Sequence, residues 1–441
     1  MEEIIANSIE NIPTINANAV FTSKNKIVFR EDDEIAPKPI GDKYRYIPWG
    51  ADDLLPYNVI DLIEADETMS TCQLFNAEIC YGAGMKLNTD NAKSNIKNTV
   101  ADFFEDNDLP SYFLSMCRDM KHFEFTVSVL FVNDKRNAIE RIIRKEACYC
   151  RFEEADKNGC IRHIFYADWR NNPDIDEIEI IELLDFNNPL KDLLVRLGKE
   201  KGPEGQKKMR TTKRKFAVVS KMPHADSTYY PIPYYGALFR SGWYNIKKLI
   251  AIAKESKLKN NAPIKYHIEV DSKYWERLCH AKGVTDKKEQ LKTIAEEKQK
   301  ILDFLTGIEN SGKVWFSSKY QTPDGKVVND VTINKIDSDT KEGGDWSTDI
   351  QEAVNMICFT MRVHSNLVGS VPGKSQTNNS GSDKRELYNI SQAMQKPYHD
   401  MIFKAMKTVI RFNEWKDVYP EVPFIQMTTL DKNTETEIRT L

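Results

Sequence analysis

Residues Val363 to Ser382, V-H-S-N-L-V-G-S-V-P-G-K-S-Q-T-N-N-S-G-S, interrupt two segments of clear helical periodicity and limit how the C-terminal part of the chain can pack. Before the stretch, Trp346, Ile350, Val354, Ile357 and Met361 recur at helical spacing, which predicts an amphipathic helix over 346–361. After it, Asp383-x-x-Glu386 reads as a helix start, and Leu387, Ile390, Met394, Met401, Ala405 and Val409 form a second stripe to about Phe412. Pro397 falls inside that stripe. A proline there removes a backbone donor and clashes with the preceding turn, so the expectation is one long kinked helix, or two helices meeting at about residue 396. A loop this long without structure of its own is uncommon inside a domain and, where it occurs, is usually functional or disordered. Gly369, Gly373 and Gly381 loosen its backbone, while Asn366, Ser375, Gln376, Asn378 and Asn379 offer exchangeable hydrogen bonds. Lys374 is its only lysine or arginine, and no large apolar residue follows Val371.

Residues 1 to about 40 are polar and Asn-rich and close on Pro37 and Pro39, which places the first ordered domain from near Tyr44. Ile47-Pro48-Trp49-Gly50 and Leu55-Pro56 lead into helical patterns through Val59, Leu62 and Ile63 and then from Met69 to Tyr81, stopped at Gly82 and Gly84. From about Phe123 to Asp168 the pattern turns to strands: 125–131, 148–152 and 161–166, the last two joined by an Asn158-Gly159 hairpin signal. Ile178 to Leu184 is a further strand candidate. The glycine-interrupted basic run 198–215 has no aromatic residue to stack on bases and reads either as a solvated loop or as a phosphate-touching patch. Tyr229-Tyr230-Pro231-Ile232-Pro233-Tyr234-Tyr235 is a rigid extended stretch feeding a helix over 238–257, which ends at Asn260-Asn261-Ala262-Pro263. Beyond it come a strand at 264–270, a charged helix at 287–305, and strands at 313–320 and 331–336 joined by Pro323-Asp324-Gly325. Near the C-terminus, 424–429 is a strand candidate without an evident partner.

This order, helix, α/β insert, helix, polar loop and kinked helix, resembles the portal proteins of tailed bacteriophages over roughly residues 44 to 412. The Trp/Pro entry at 47–56, Gly82-x-Gly84 and the Tyr/Pro junction at 229–237 add to the likeness, although a capped helix with a glycine stop also explains the first two. The resemblance implies an α+β, portal-like fold with a β-rich wing domain, stem helices, an α/β clip insert and a long kinked C-terminal helix. It assigns 1–43 to a flexible N-terminal arm, 44–235 to the first part of the wing, 236–259 and 345–363 to the stem helices and 260–340 to the clip. It further assigns 364–382 to a channel loop, 383–413 to a wing helix kinked at Pro397, and 414–441 to a short tail. The departure is that tail, which leaves a helical crown minimal or absent. The function implied is a non-enzymatic, homododecameric ring at one capsid vertex of a virion, assembled in a bacterial cytoplasm, through which double-stranded DNA passes without sequence preference. Implied partners are the terminase large subunit, head-completion or tail adaptor proteins, and the major capsid and scaffold proteins. The DNA-facing residues would be those of the loop named above, from Asn366 to Gly381.

Composition agrees with that expectation. With 441 residues and a net charge of −4, the chain is not one that grips nucleic acid over its whole surface, though a local basic patch is compatible with the balance. Residues 1–20 lack the basic start and apolar run of a signal peptide, and no segment reaches the ~18 apolar residues of a membrane span. Eight scattered cysteines read as free thiols in a reducing cytosol.

Two constellations invite an enzymatic reading. Gly369 to Ser375 resembles a phosphate loop, but it has three rather than four residues before its Gly-Lys pair, loses a donor at Pro372 and follows a helix instead of a strand. Cys148, Cys150, Cys160 and His163 have zinc-ligand chemistry without zinc-site spacing; a C-x-C pair on a strand puts both thiols on one face, which Phe152 continues as core. No catalytic triad or carboxylate pair stands out, and neither metal nor cofactor is expected. The alternatives are a nucleic-acid enzyme built on one of these two sites, or another ring-forming head connector protein.

Overall fold

Phe125 to Val132 carries β-branched and aromatic side chains on both faces, a pattern suited to a strand covered on both sides. In the computed structural model it lies within a six-stranded mixed sheet, and every one of its residues except Phe131 is buried. The structure describes residues 36–202, 205–225, 229–260, 266–270, 272–306, 319–321, 327–329, 331–335, 346–368 and 381–427. The chain divides into two units, one of 1–248 with 347–441 and one of the inserted residues 249–346.

The first unit opens with a hairpin of β1 (Lys38–Ile40) and β2 (Tyr44–Tyr46), followed by α1 (Leu55–Glu64), α2 (Glu67–Tyr81), β3 (Lys86–Asn88), α3 (Ser94–Asp106) and α4 (Leu109–Phe123). The sheet strands are β4 (Phe125–Val132), β5 (Ile139–Lys145), β6 (Cys150–Phe152), β7 (His163–Tyr166), β8 (Glu179–Leu183) and β9 (Lys215–Lys221), with α5 (Pro189–Arg196) between the last two. Their order is β5-β4-β9-β8-β7-β6, antiparallel throughout except for the β8–β9 pair. Then come α6 (Gly236–Ser241) and α7 (Trp243–Asn260). The inserted unit holds β10 (Tyr266–Val270), α8 (Ser272–Ala281), α9 (Lys287–Thr306), β11 (Lys319–Gln321), β12 (Val327–Asn329) and β13 (Val331–Lys335). The chain returns to the first unit through α10 (Trp346–Thr360), α11 (Ser365–Val368), α12 (Gly381–Ala393), α13 (Lys396–Phe412) and β14 (Tyr419–Glu421).

Alternate residues of β4 and β9 feed two cores. Leu130, Val132, Phe216 and Val218 pack with α3, α4 and α13, whereas Val127, Val129, Ala217 and Val219 pack with α1, α2 and α10. The period-two alternation of a strand therefore serves both sides of the sheet. β5 lies at the sheet edge and shows Glu140 and Arg141 to solvent, which blunts that edge against stray pairing.

Two segments far apart in sequence lock together at the entry. The Trp49 ring stacks on Tyr230 with centroids 4.6 Å apart and planes 5° from parallel, and the Tyr230 hydroxyl donates to Ile47 O at 2.7 Å. Beneath them lies Arg151, fully buried, with Nε 2.5 Å from Asp53 Oδ1, Nη2 donating to Asp53 O at 2.8 Å and Nη1 to Cys148 O at 2.9 Å. Asp53 also accepts from Trp49 N at 2.7 Å and from the Tyr46 hydroxyl at 3.2 Å. Burial, followed by the Asp53 charge, raises the Tyr46 phenol above its ordinary range and keeps it a neutral donor.

Several expectations change here. The helix expected over 238–257 is two, because Gly242 takes φ +86° and ends α6. The helix expected to start at Asp383 starts at Gly381, so Asp383 stands in its first turn instead of capping it. The C-terminal stretch does break where expected, in the two-helix form: α12 ends at Ala393, and Pro397 sits in the first turn of α13, where its missing N–H costs no helical bond. Cys148 is in a short 3₁₀ turn, Ala147–Tyr149, and so does not share a strand with Cys150. The C-terminal strand is Tyr419–Glu421, paired with β3, in place of one starting at Phe424; residues 428 and 429 of that candidate lie outside the described residues. The hairpin marked by Asn158-Gly159 forms as expected, with Cys150 opposite Tyr166.

In the inserted unit, β10 pairs antiparallel with β13 from Tyr266↔Lys335 to Val270↔Val331, and β11 pairs with β12. The 323–325 turn and residues 313–318 lie outside the described residues. α8 and α9 pack around buried Cys279, with Lys298 over the Trp275 ring at 5.7 Å. Among the described residues no helix is long and apolar enough to cross a membrane.

Candidate functional site

Of the loop residues singled out in the sequence, only Asn366 and Gly381 are described; Gly369, Gly373, Lys374, Ser375, Gln376, Asn378 and Asn379 lie outside the described residues. What the structure defines is the root from which the segment departs and to which it returns.

α10 ends in a left-handed cap. Arg362 N donates to Phe359 O at 3.1 Å and Val363 N to Cys358 O at 3.0 Å, with Arg362 at φ +57°. That pair of bonds is a Schellman motif, in which the left-handed position is ordinarily glycine. Arginine there is strained by about 1–2 kcal/mol, which the burial of Met361 and Val363 on either side offsets. The Arg362 guanidinium lies 5.6 Å from the Tyr234 ring centroid. α11 follows at once, its first turn closed by Leu367 N donating to His364 O at 2.9 Å; Asn366, half-buried, lies on it.

One helix underlies all these pieces. Asp66 caps α2 by accepting from Thr68 N and Met69 N at 3.0 and 2.8 Å, and its second oxygen accepts from Lys247 Nζ of α7 at 2.8 Å. Further along the same buried face, the Cys72 and Cys358 sulfurs lie 3.9 Å apart, and Asn76 Nδ2 donates to Met361 O at 2.9 Å and to the Tyr234 hydroxyl at 3.1 Å. Burial holds the Tyr234 phenol well above its ordinary range, so it stays neutral. The start of α7, the end of α10 and the Tyr/Pro junction are thus fixed to α2. Asn76 and Met361 are separated by 285 positions, and no local sequence signal links them.

On the return side, α12 and α13 meet at Met394 and Gln395 over a small cavity of about 40 Å³ lined by Asn76, Lys121, Tyr234, Arg362, Gln395 and Tyr398. Lys121 is buried over the Tyr398 ring at 3.1 Å, and burial pulls its ammonium down to about 8. Gln392 clamps the C-terminal segment, donating to Ile425 O at 3.0 Å and accepting from Ile425 N at 2.8 Å.

The two enzymatic constellations take different places. Cys150 is in the core and donates to Glu146 O at 3.3 Å, Cys160 is exposed, and His163 Nδ1 lies 2.8 Å from Glu153 Oε2. Among the described residues no three His, Cys, Asp or Glu side chains converge on a metal-sized site. The Gly369 to Ser375 segment lies outside the described residues and is preceded by α11.

No family model matches the sequence, and no curated protein matches it. The fold does match solved structures. A chain from the neck of an empty gene transfer agent (GTA) particle, computed with C6 symmetry, aligns with TM-score 0.54 at 10% identity over 86% of this chain and 85% of that one. A chain from the virion of a native GTA particle aligns with TM-score 0.53 at 10% identity over 91% and 89%, and one from the neck of a native GTA particle, computed with C12 symmetry, with 0.51 at 10% over 83% and 84%. The chain therefore shares its fold with these chains of gene transfer agent particles over more than four-fifths of its length.

Proposed function

We propose that this chain is a portal subunit: a non-enzymatic ring component at one vertex of a phage-like particle, through which double-stranded DNA enters and leaves. The observation that carries this reading is the fold likeness over more than four-fifths of both chains to components of a particle neck, one of them computed with C12 symmetry. The order of helix, insert, helix and polar segment supports it. In the proposal, 249–346 contains the clip that docks terminase and later the adaptor proteins, α7 and α10 belong to the stem, and 364–382 faces the DNA.

A ring needs apolar surface that only a neighbouring copy covers. Phe359 on α10 is 77% exposed and Ile246 on α7 is 40% exposed, both large apolar side chains with no role in the lone chain's core. Negative-stain imaging of the purified chain, alone and in scaffold-containing assembly reactions, is expected to reveal closed rings with an axial hole. A closed dimer under every condition would overturn the proposal. A second expected outcome concerns charge: the free protein binds duplex DNA weakly and without sequence preference, and loses that binding steeply between about 50 and 200 mM salt. Sequence-specific binding that survives moderate salt would contradict a conduit.

A further inference from the structure

The basic run 198–215 is fastened to the sheet. Gly198, at φ +73°, lets the chain turn back so closely that Met209 N lies 2.7 Å from where a side-chain Cβ would stand. Arg210 N donates to Arg196 O at 2.8 Å, Thr211 Oγ1 to Glu182 Oε1 at 2.9 Å, and Val132 N to Arg214 O at 2.9 Å, extending the β4–β9 ladder. The β4–β5 turn docks against this strip. Arg136 Nη2 donates to Thr212 O at 3.1 Å, Arg214 Nε donates to Val132 O at 2.9 Å, and Arg214 also pairs with Asp134.

Docking pools positive charge from two separate segments. Lys135, Lys207, Lys208 and Lys213 are all exposed, and none pairs with a carboxylate among the described residues. Of the nearby acids, Asp134 is engaged with Arg214, Asp192 with Arg196, and Glu182 with Arg196 and Thr211, while the run itself carries eight Lys and Arg against Glu200 and Glu204. In a chain of net charge −4, this is a local field of the opposite sign.

We infer that this strip is a binding surface for the phosphate backbone of duplex DNA, separate from the 364–382 segment. Duplex is favoured over single strands because residues 198–214 contain no aromatic side chain on which bases would stack. DNA is favoured over an acidic protein because protein interfaces are depleted in lysine and built around apolar anchors, and Met209 is the one large apolar side chain exposed on this strip. The choice of DNA as the polyanion rests on the proposed function, yet its test is independent of ring formation, which imaging reads.

The test is fluorescence anisotropy of the full chain and a K135Q/K207Q/K208Q/K213Q variant with a duplex of about 30 base pairs, between about 50 and 200 mM salt. The expected result is at least a tenfold loss of affinity at low salt and a log–log salt slope shallower by about 3–4, with the unfolding temperature unchanged. The four-lysine-to-arginine variant should restore both readouts, and the milder K207Q/K208Q variant should flatten the slope by about 2. Lys374→Ala should flatten it by no more than about 1. Unchanged affinity and slope would overturn the inference. So would a variant that binds duplex normally but no longer joins particles, an outcome that assigns the strip to an acidic protein.

Discussion

Removing residues 370–380 is expected to leave ring assembly intact while DNA packaging, or retention of packaged DNA, falls to a small fraction of the full chain's. The root explains why assembly survives. Arg362, Val363 and α11 upstream, and α12 downstream, make their contacts within the first unit without the excised residues. In the proposed role, the composition of the segment, glycines with Ser, Thr, Asn and Gln side chains, would let it exchange hydrogen bonds with a moving phosphate backbone without a deep binding well. Lys374→Ala should do far less, because it removes one charge per subunit and leaves the glycine and amide composition of the segment unchanged. Particle assembly with each variant, scored for rings by imaging and for nuclease-protected DNA, gives the measurement. Packaging and retention at the full-chain level would reduce the segment to a connector.

Arg151→Met is expected to destabilise the first unit by about 3–5 kcal/mol, because it leaves the Asp53 carboxylate buried without its countercharge. Asp53→Asn should cost a comparable amount by stranding the guanidinium. The double variant should cost much less than the sum, since it removes both charges. Urea unfolding is a suitable readout, with tryptophan fluorescence reporting locally: the Trp49 and Trp169 rings lie 5.7 and 5.3 Å from the guanidinium carbon. A loss below about 1 kcal/mol in either single variant, or additivity in the double, would show that the pair does not act as a coupled unit.

Much of the local structure was legible because its cause is local. Apolar spacing marked α10, α12 and α13; Asn158-Gly159 marked the β6–β7 turn; Gly82, at φ +53°, marked the end of α2. The misses have local causes too. β5 escaped notice because an edge strand carries charge on its open face, and β9 because it continues directly from a basic run. Gly242 was passed over because one glycine within an apolar helical stripe reads as tolerated until its positive φ is seen.

The sequence by itself determined the order of the pieces: two helices around an insert, then a polar segment rich in glycine and amides, then a proline-broken helix pair. Only the tertiary structure decided what holds them in place. It set α2 beneath both α7 and α10 through Asp66, Cys72 and Asn76, sealed Arg151 against Asp53, and brought the 133–137 turn onto the basic run. The physical reason is that periodicity and turn chemistry act over a few residues. A hydrogen bond such as that from Asn76 to Met361 spans 285 positions, and exists because packing, which no short window of sequence encodes, carried its two ends together.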